Sequence, residues 1–334
     1  MMLTKKILHI FPSKNLKYTG VYKYNLYLNK ILKKKFKTII LNEFCEAILI
    51  KQLFRIFFFP LIVIYFIIKE DINTIILPEE NTLSISIIKK ILKINIIVAI
   101  HDFRNLSDIK SKILSEQIKI KYLNFNYQFI NLVNTIIVPS NETKKKLNKI
   151  YKRIEIIPNF FEISKIFIKK KKLFKYYEIN EKKKIILNIG SNQTNKNLET
   201  LKKFIHKNKK LFLIQIGSQK YERTDKILYL KNISQIKLNS FLKYSDLYIS
   251  TSYFEGFGRP SVEARLYKTP VLCINNKINK EVLANSSYYF KNVKDLYKMI
   301  NIALKNKKDN KHVYRFLLNK KNILTHQLVL DKIV

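Results

Sequence analysis

The stretch DLYISTSYFEGFGRPSVEARLYKTP, residues 246–270, reads as one strand, one loop and one helix. DLYIST is a short apolar run of strand type and SYFEGFGR is its loop. Pro260 suits the first turn of a helix running to about Lys268, and Thr269-Pro270 ends it. The loop holds two of the five glycines of the chain beside Glu255, and Glu263 follows in the first helical turn. Glycine lets backbone N–H groups come close to a ligand, and a carboxylate accepts hydrogen bonds well from vicinal hydroxyls. The two acids are therefore expected on one edge of a sheet, facing one cleft and suited to a sugar and a ribose. The amides around Gly256, Phe257 and Gly258 are expected to bind more of a polar ligand. For Glu263 a second reading stays open, stabilisation of the helix dipole, worth about 0.3–1 kcal/mol.

The same alternation of strand and helix runs through the whole chain. Short Ile-rich runs occur at 7–11 (ILHIF), 38–41 (TIIL), 94–100 (INIIVAI) and 135–140 (TIIVPS), separated by longer lysine-studded segments. The rhythm restarts with KIILNIG at 184–190, LFLIQIG at 211–217, KILYL at 226–230, DLYIST, and PVLCI at 270–274. This pattern predicts an α/β protein of two parallel-sheet units. The lysine-dense segment 161–184 lacks a clean period, which sets the expected domains at 1–165 and 175–334. Gly20, Gly190, Gly217, Gly256 and Gly258 all fall after or between strands and before helical segments, where open α/β sheets bind ligands.

Composition narrows the class. The chain has 334 residues, 47% of them hydrophobic, enough for two cores and against wholesale disorder. Its 64 Lys and Arg against 24 Asp and Glu leave a net charge of +40, suited to phosphates, nucleic acid or an anionic membrane surface. Lysine is spread along almost all of the chain, so a general compositional bias competes with a selected patch. Cys45 and Cys273 stand far apart with no Cys or His at metal-ligand spacing, which points to a reducing cytoplasm and away from zinc or a disulfide scaffold. The start, MMLTKKILHIFP, is too short in apolar residues for a signal peptide. IFFFPLIVIYFIIK, residues 56–69, is the strongest apolar run, yet it falls short of the roughly 20 residues a spanning helix needs and Pro60 interrupts it. A buried helix is the first reading and a segment dipping into one leaflet, helped by basic flanks, the second.

The segment from Glu255 to Pro270 spaces its two acids by seven residues, with Gly-Phe-Gly and Pro between them. In this it resembles the signature of the retaining glycosyltransferases of family 4, within the group 1 glycosyl transferases, which have the GT-B fold. Other pieces resemble the family in order along nearly the whole chain. They are YTGVYKYNLYLNKIL, VAIHDF, VPSNETKKKL, IEIIPNF and LNIGSNQTNKNLETL. The resemblance implies two Rossmann-like domains facing a central cleft, with an acceptor-side N-terminal domain and a nucleotide-sugar-binding C-terminal one.

It also implies roles. Glu255 would hold the donor sugar near its reacting carbon, assisted by the Phe257 and Gly258 amides, and Glu263 would bind the nucleotide ribose. Lys196, beyond the Gly190 loop, would neutralise the departing diphosphate. Gly20 would let that group approach the first domain, and His101 would contact the sugar or a reacting oxygen. Chemistry supports the assignment, because glycosyl transfer builds negative charge on a leaving diphosphate that fixed cations and amides stabilise. Three positions depart from the family pattern: Thr19 precedes Gly20 where many relatives have a second glycine, Ser191 stands where many have arginine, and Lys268 where many have glycine.

No Asp-x-Asp triplet occurs, so metal-independent transfer is expected, and no Gly-Lys-Ser or Gly-Lys-Thr supports a P-loop ATPase. The expected protein is a retaining glycosyltransferase without a cofactor. It would move a sugar from a nucleotide-sugar donor to a glycan or lipid-linked acceptor, in surface polysaccharide or glycolipid synthesis. Its expected place is the cytoplasm, at the inner face of the membrane, with no specific nucleic acid as partner. Two alternatives are a GT-B nucleotide-sugar epimerase, which needs no acceptor, and a non-catalytic basic protein that binds nucleic acid through salt-dependent charge alone.

Overall fold

The computed structural model describes residues 5–13, 19–43, 54–103, 114–190, 196–218, 220–306 and 308–334. Cys45 and Ser191 lie outside them. The chain forms two compact units, one of Met1–Phe160 with Asn319–Val334, the other of Phe161–Leu318.

The first unit is built on six strands: β1 (Lys6–Phe11), β2 (Lys37–Asn42), β3 (Thr74–Leu77), β4 (Asn95–Ala99), β5 (Thr135–Val138) and β6 (Ile154–Ile156), in the order β2-β1-β3-β4-β5-β6. All pairs are parallel. Ile and Val dominate because a parallel sheet is covered on both faces. Alternate residues of each strand face opposite sides. Leu8 and Ile10 of β1 pack with Phe59, Val63 and Ile67 of the helix Phe59–Glu70. His9, between them, is fully buried and hydrogen-bonds through Nε2 to Asn25 Oδ1, at 2.9 Å, on the helix Gly20–Leu32.

The apolar run at 56–69 is thus neither wholly core nor wholly free. Phe59, Val63 and Ile67 are buried, whereas Leu61, Tyr65 and Ile68 are exposed. No helix among the described residues is long and apolar enough to cross a membrane.

The second unit has seven strands: β7 (Lys184–Ile189), β8 (Leu211–Ile216), β9 (Glu222–Arg223), β10 (Ile227–Leu230), β11 (Leu247–Ser250), β12 (Val271–Ile274) and β13 (Tyr288–Phe290). Their order is β13-β12-β11-β7-β8-β10-β9, and only the short β9 runs antiparallel to its neighbour. Period-two alternation divides the core by face. Leu187, Ile214, Leu228, Tyr248 and Cys273 serve one cluster; Ile186, Leu213, Ile227, Ile249 and Leu272 serve the other.

The expected second domain, 175–334, differs from the unit found in two ways. Residues 161–174 belong to that unit, where Phe161 pairs in parallel with Leu317, so the two segments that carry the chain in and out run side by side. The last helix, Lys320–Ile333, belongs to the first unit. It buries Leu330 and Ile333 there, Asn95 Nδ2 donates to the Ile333 carbonyl at 2.7 Å, and Lys35 meets Asp331 at 2.5 Å. Such long-range pairing leaves no period or motif that would announce it in the chain.

Two features of the sheets carry testable consequences. Burial lowers the His9 pKa from 6.5 to about 4, against the opposing hydrogen bonds of Asn25 and Asn29. Below pH 6.5 the unfolded chain takes up a proton that folded His9 refuses until about pH 4, so this contribution to stability is complete above pH 6.5 and lost as pH falls across that window. The loss is about 3 kcal/mol in total, and urea unfolding of His9→Gln should show a shallower pH slope, by up to about 1.4 kcal/mol per pH unit. An unchanged slope would contradict the assignment. Gly217, at φ +99, has so little room that an added Cβ would stand 2.7 Å from the Gly190 carbonyl oxygen. Gly217→Ala should cost on the order of 2 kcal/mol through strain and clash. Gly190→Ala, whose Cβ would meet only the Lys196 side chain at 3.7 Å, should cost clearly less in the same unfolding assay.

Candidate active site

In an open parallel sheet, ligands bind beyond the carboxyl ends of the strands, where the strand order reverses. In the second unit that point lies between β7 and β11. From β7 the order proceeds to β8 and β10, and from β11 to β12 and β13 in the other direction. The two strands pair directly, Leu247 opposite Ile186 and Tyr248 opposite Leu187. Asn188, buried at the end of β7, donates from Nδ2 to the Ile249 carbonyl at 2.8 Å and ties the strands further. The loops that leave them therefore begin side by side.

These loops bring together residues far apart in sequence. Lys196 Nζ, beyond β7, lies 2.5 Å from Glu255 Oε1, beyond β11, with the side chains 25% and 19% exposed. Thr251 Oγ1 donates to the Lys196 carbonyl at 2.7 Å, and Asn197 Nδ2 to the Tyr253 hydroxyl at 2.8 Å. Gly190 lies against the carbon chain of Lys196. Its N–H donates to the Ile216 carbonyl at 2.8 Å, and its own carbonyl accepts from Gln215 Nε2 at 2.6 Å. Gly190, Lys196 and Glu255 thus form one cluster, with a cation–carboxylate pair that is only partly shielded from water.

Glu263 has a different partner. It sits one turn into the helix Arg259–Leu266, 3.2 Å from Arg259, whose guanidinium stacks 4.4 Å from the centre of the Phe161 ring. Gly258 caps that helix at φ +75, in the left-handed region that glycine enters without steric cost. The Phe257 side chain is core, between Phe161 and Phe316 at centroid distances of 6.2 and 5.0 Å. Gly256 and Gly258 are buried beside it. At the far end of the helix Lys268 occupies the left-handed region at φ +66, and Thr269 N–H donates to the Ala264 carbonyl at 3.0 Å. The helix end keeps the backbone that glycine favours although lysine stands there.

Gly20 and His101 belong to the first unit, at the carboxyl edge of its own sheet. Gly20 is exposed and opens the helix Gly20–Leu32, capped by Thr19 Oγ1, which accepts from the Tyr22 N–H at 3.3 Å. His101 follows β4. Its Nε2 donates to the Pro78 carbonyl at 3.0 Å, since a carbonyl can only accept, and the Tyr24 ring stands edge-on 4.7 Å away. Pro78 also accepts from Asn25 Nδ2 at 3.2 Å. One network thus links the first helix to the ends of β1, β3 and β4.

The sequence reading missed several supporting residues. Gln215, fully buried within an otherwise apolar strand, and Arg259, between Gly258 and Pro260, could have been noticed as polar groups out of place. The buried Arg55, paired with both Glu43 and Glu79 just beyond β2 and β3, left no such signal. Burial works against the Arg55 charge, but the two carboxylates outweigh it and hold the guanidinium protonated. Among the described residues no three His, Cys, Asp or Glu side chains gather as metal ligands.

Residues 169–316 match the family model of Glycosyl transferases group 1. Solved structures are similar over almost the full length. Sucrose-phosphate synthase from Thermosynechococcus elongatus superposes with a TM-score of 0.77 at 13% identity, covering 98% of each chain. HepE from Anabaena, in complex with UDP and glucose, has 0.71 at 14% over 98% of each chain. The catalytic domain of starch synthase IV from Arabidopsis thaliana, bound to ADP and acarbose, has 0.71 at 11%, covering 99% of this chain and 98% of that one. No curated protein sequence matches the chain. The chain therefore has the GT-B fold, and within its second unit residues 169–316 are similar to the group 1 glycosyl transferases.

Proposed function

We propose that the protein is a retaining, metal-independent glycosyltransferase of family 4 that moves a sugar from a nucleotide-sugar donor to an acceptor hydroxyl. The observation that carries this reading is the Lys196–Glu255 pair at the β7–β11 reversal. Breaking the glycosidic bond of the donor leaves the electron pair on the diphosphate, while positive charge grows on the sugar carbon. Lys196 offsets the first charge, and Glu255 accepts hydrogen bonds from the sugar hydroxyls and lies near the second. The donor diphosphate replaces Glu255 as the partner of Lys196, so the carboxylate is released for the sugar at the moment the site fills.

The Phe257 and Gly258 amides assist at the sugar, Gly190 keeps the Lys196 loop close to its strand, and Glu263, oriented by Arg259, receives the ribose hydroxyls. In the first unit Gly20 serves the diphosphate, and His101 the sugar or a reacting oxygen. The acceptor is a glycan or lipid-linked hydroxyl, and the setting is surface polysaccharide or glycolipid synthesis at the inner face of the membrane. HepE and starch synthase IV were crystallised with UDP and with ADP, so donors of both bases belong in the test.

Nucleotide release should be measured from UDP, GDP and ADP sugars, with and without membrane extract and a chelator. Acceptor-dependent release that survives the chelator is expected. Conversion of a donor to a second nucleotide-sugar, without acceptor and without net nucleotide release, would favour the epimerase, and no release together with tight DNA binding would favour the nucleic-acid binder. Lys196→Ala should slow turnover by roughly 10²-fold to 10³-fold, as loss of a preorganised charge donor does, and Glu255→Gln should be comparably impaired with the fold intact. Near-normal rates in both would reject the assigned roles.

A further inference from the structure

The helix Phe59–Glu70 turns Phe59, Val63 and Ile67 into the core of the first unit. Its opposite side is equally apolar and uncovered: Leu61, Tyr65 and Ile68 are 62%, 56% and 69% exposed, with Phe57 and Phe58 at 62% and 61% immediately before them. Residues three and four apart on a helix lie on one face, so Leu61, Tyr65 and Ile68 form a single stripe. Scattered exposed apolar residues are ordinary, but a contiguous set of five large ones marks a binding surface.

Charge selects the occupant. Lys69 borders the stripe, its ammonium 5.4 Å from the centre of the Tyr65 ring, and Lys6 Nζ bonds the Glu70 carbonyl at the helix end at 2.9 Å. Lys90 and Lys93 are exposed around Ile91, itself 74% exposed, at the end of the segment that packs beside this helix. Of the acids that close the helix, Glu70 falls off the stripe by periodicity, and Asp71, three residues past Ile68, is the C-cap at φ +51 and one acid against several lysines. A second copy of a chain of net charge +40 would be repelled, whereas an anionic bilayer is attracted. The helix has 12 residues, about 18 Å at 1.5 Å per residue, far less than the roughly 30 Å of a bilayer core.

We infer that this helix docks the protein on an anionic lipid bilayer, lying in the plane of the headgroups with Phe57, Phe58, Leu61, Tyr65 and Ile68 inserted. The basic side chains beside the stripe meet lipid phosphates, and the aromatic rings suit the interface between acyl chains and water. This extends the membrane setting proposed above and rests on it, but lipid binding is measured without donor or acceptor and stands or falls by itself.

The chain contains no tryptophan, so Leu61→Trp places a single indole reporter on the stripe of the full-length protein. With vesicles of phosphatidylglycerol and phosphatidylcholine its emission should shift to the blue and be quenched by brominated acyl chains, with little change for phosphatidylcholine alone. The triple variant Leu61→Ser, Tyr65→Ser, Ile68→Ser should lose at least ten-fold in partitioning to the anionic vesicles. Leu324→Ser with Leu328→Ser, on another exposed apolar pair of the same unit, should retain it. The proposal is overturned if emission ignores the vesicles or if the triple variant binds like the parent. A blue shift that grows with protein concentration in the absence of lipid would overturn it too, since a second copy would then cover the face. Nucleotide release, measured separately, distinguishes failure of docking from failure of the transfer reading.

Discussion

The pairing of β7 with β11 is the constraint from which the site follows. Two strands whose loops hold Lys196 and Glu255, 59 residues apart, become neighbours in one parallel sheet, and their carboxyl ends then open on the same side. A cation and a carboxylate are thereby brought to 2.5 Å without any local motif joining them. The pair is only partly shielded from water, so its own contribution to stability is small. On the proposed reading its importance is chemical: the donor diphosphate would take the place of the carboxylate on Lys196.

Holding that geometry falls to residues packed around the pair. Asn188 joins β7 to β11, Gln215 fixes the Gly190 carbonyl, Thr251 fixes the Lys196 carbonyl, and Gly217 leaves space for the Gly190 turn. The three side chains each donate to a backbone carbonyl near the strand ends, where buried backbone groups need a partner. Arg259 pairs with the Glu263 carboxylate while stacking on Phe161. In the first unit, the His9, Asn25, Pro78 and His101 network joins the first helix to three strand ends. Both units thus use buried polar side chains to stiffen the sheet edge.

The net charge of +40 acts at longer range. Spread over the chain, it favours approach to any anionic surface and specifies none. On the docking inferred above, the uncovered stripe of the Phe59–Glu70 helix would supply direction, with apolar insertion confined to one face and nearby lysines at the headgroups. Charge and apolar area together orient what either alone would only attract.

The strands ILHIF, INIIVAI, KIILNIG, LFLIQIG and DLYIST were legible because a sheet covered on both faces needs unbroken runs of Ile, Leu and Val. The loop at 253–258 was legible because its glycines, its proline and its acid each answer a local requirement of the backbone or of a polar ligand. The strand at 74–77 repeats the TIIL of residues 38–41 and was readable by the same rule, whereas the three residues at 288–290 are too few to be separated from neighbouring helices by pattern. Local chemistry alone thus determined the α/β alternation and the acid-bearing loop of this protein. Tertiary structure decided which loops meet, that Glu263 faces Arg259, that the last helix joins the first unit, and that half of an apolar helix stays uncovered. Apart from the Arg259–Glu263 pair, one helical turn apart, those outcomes depend on contacts between residues distant in the chain, which no window of sequence contains.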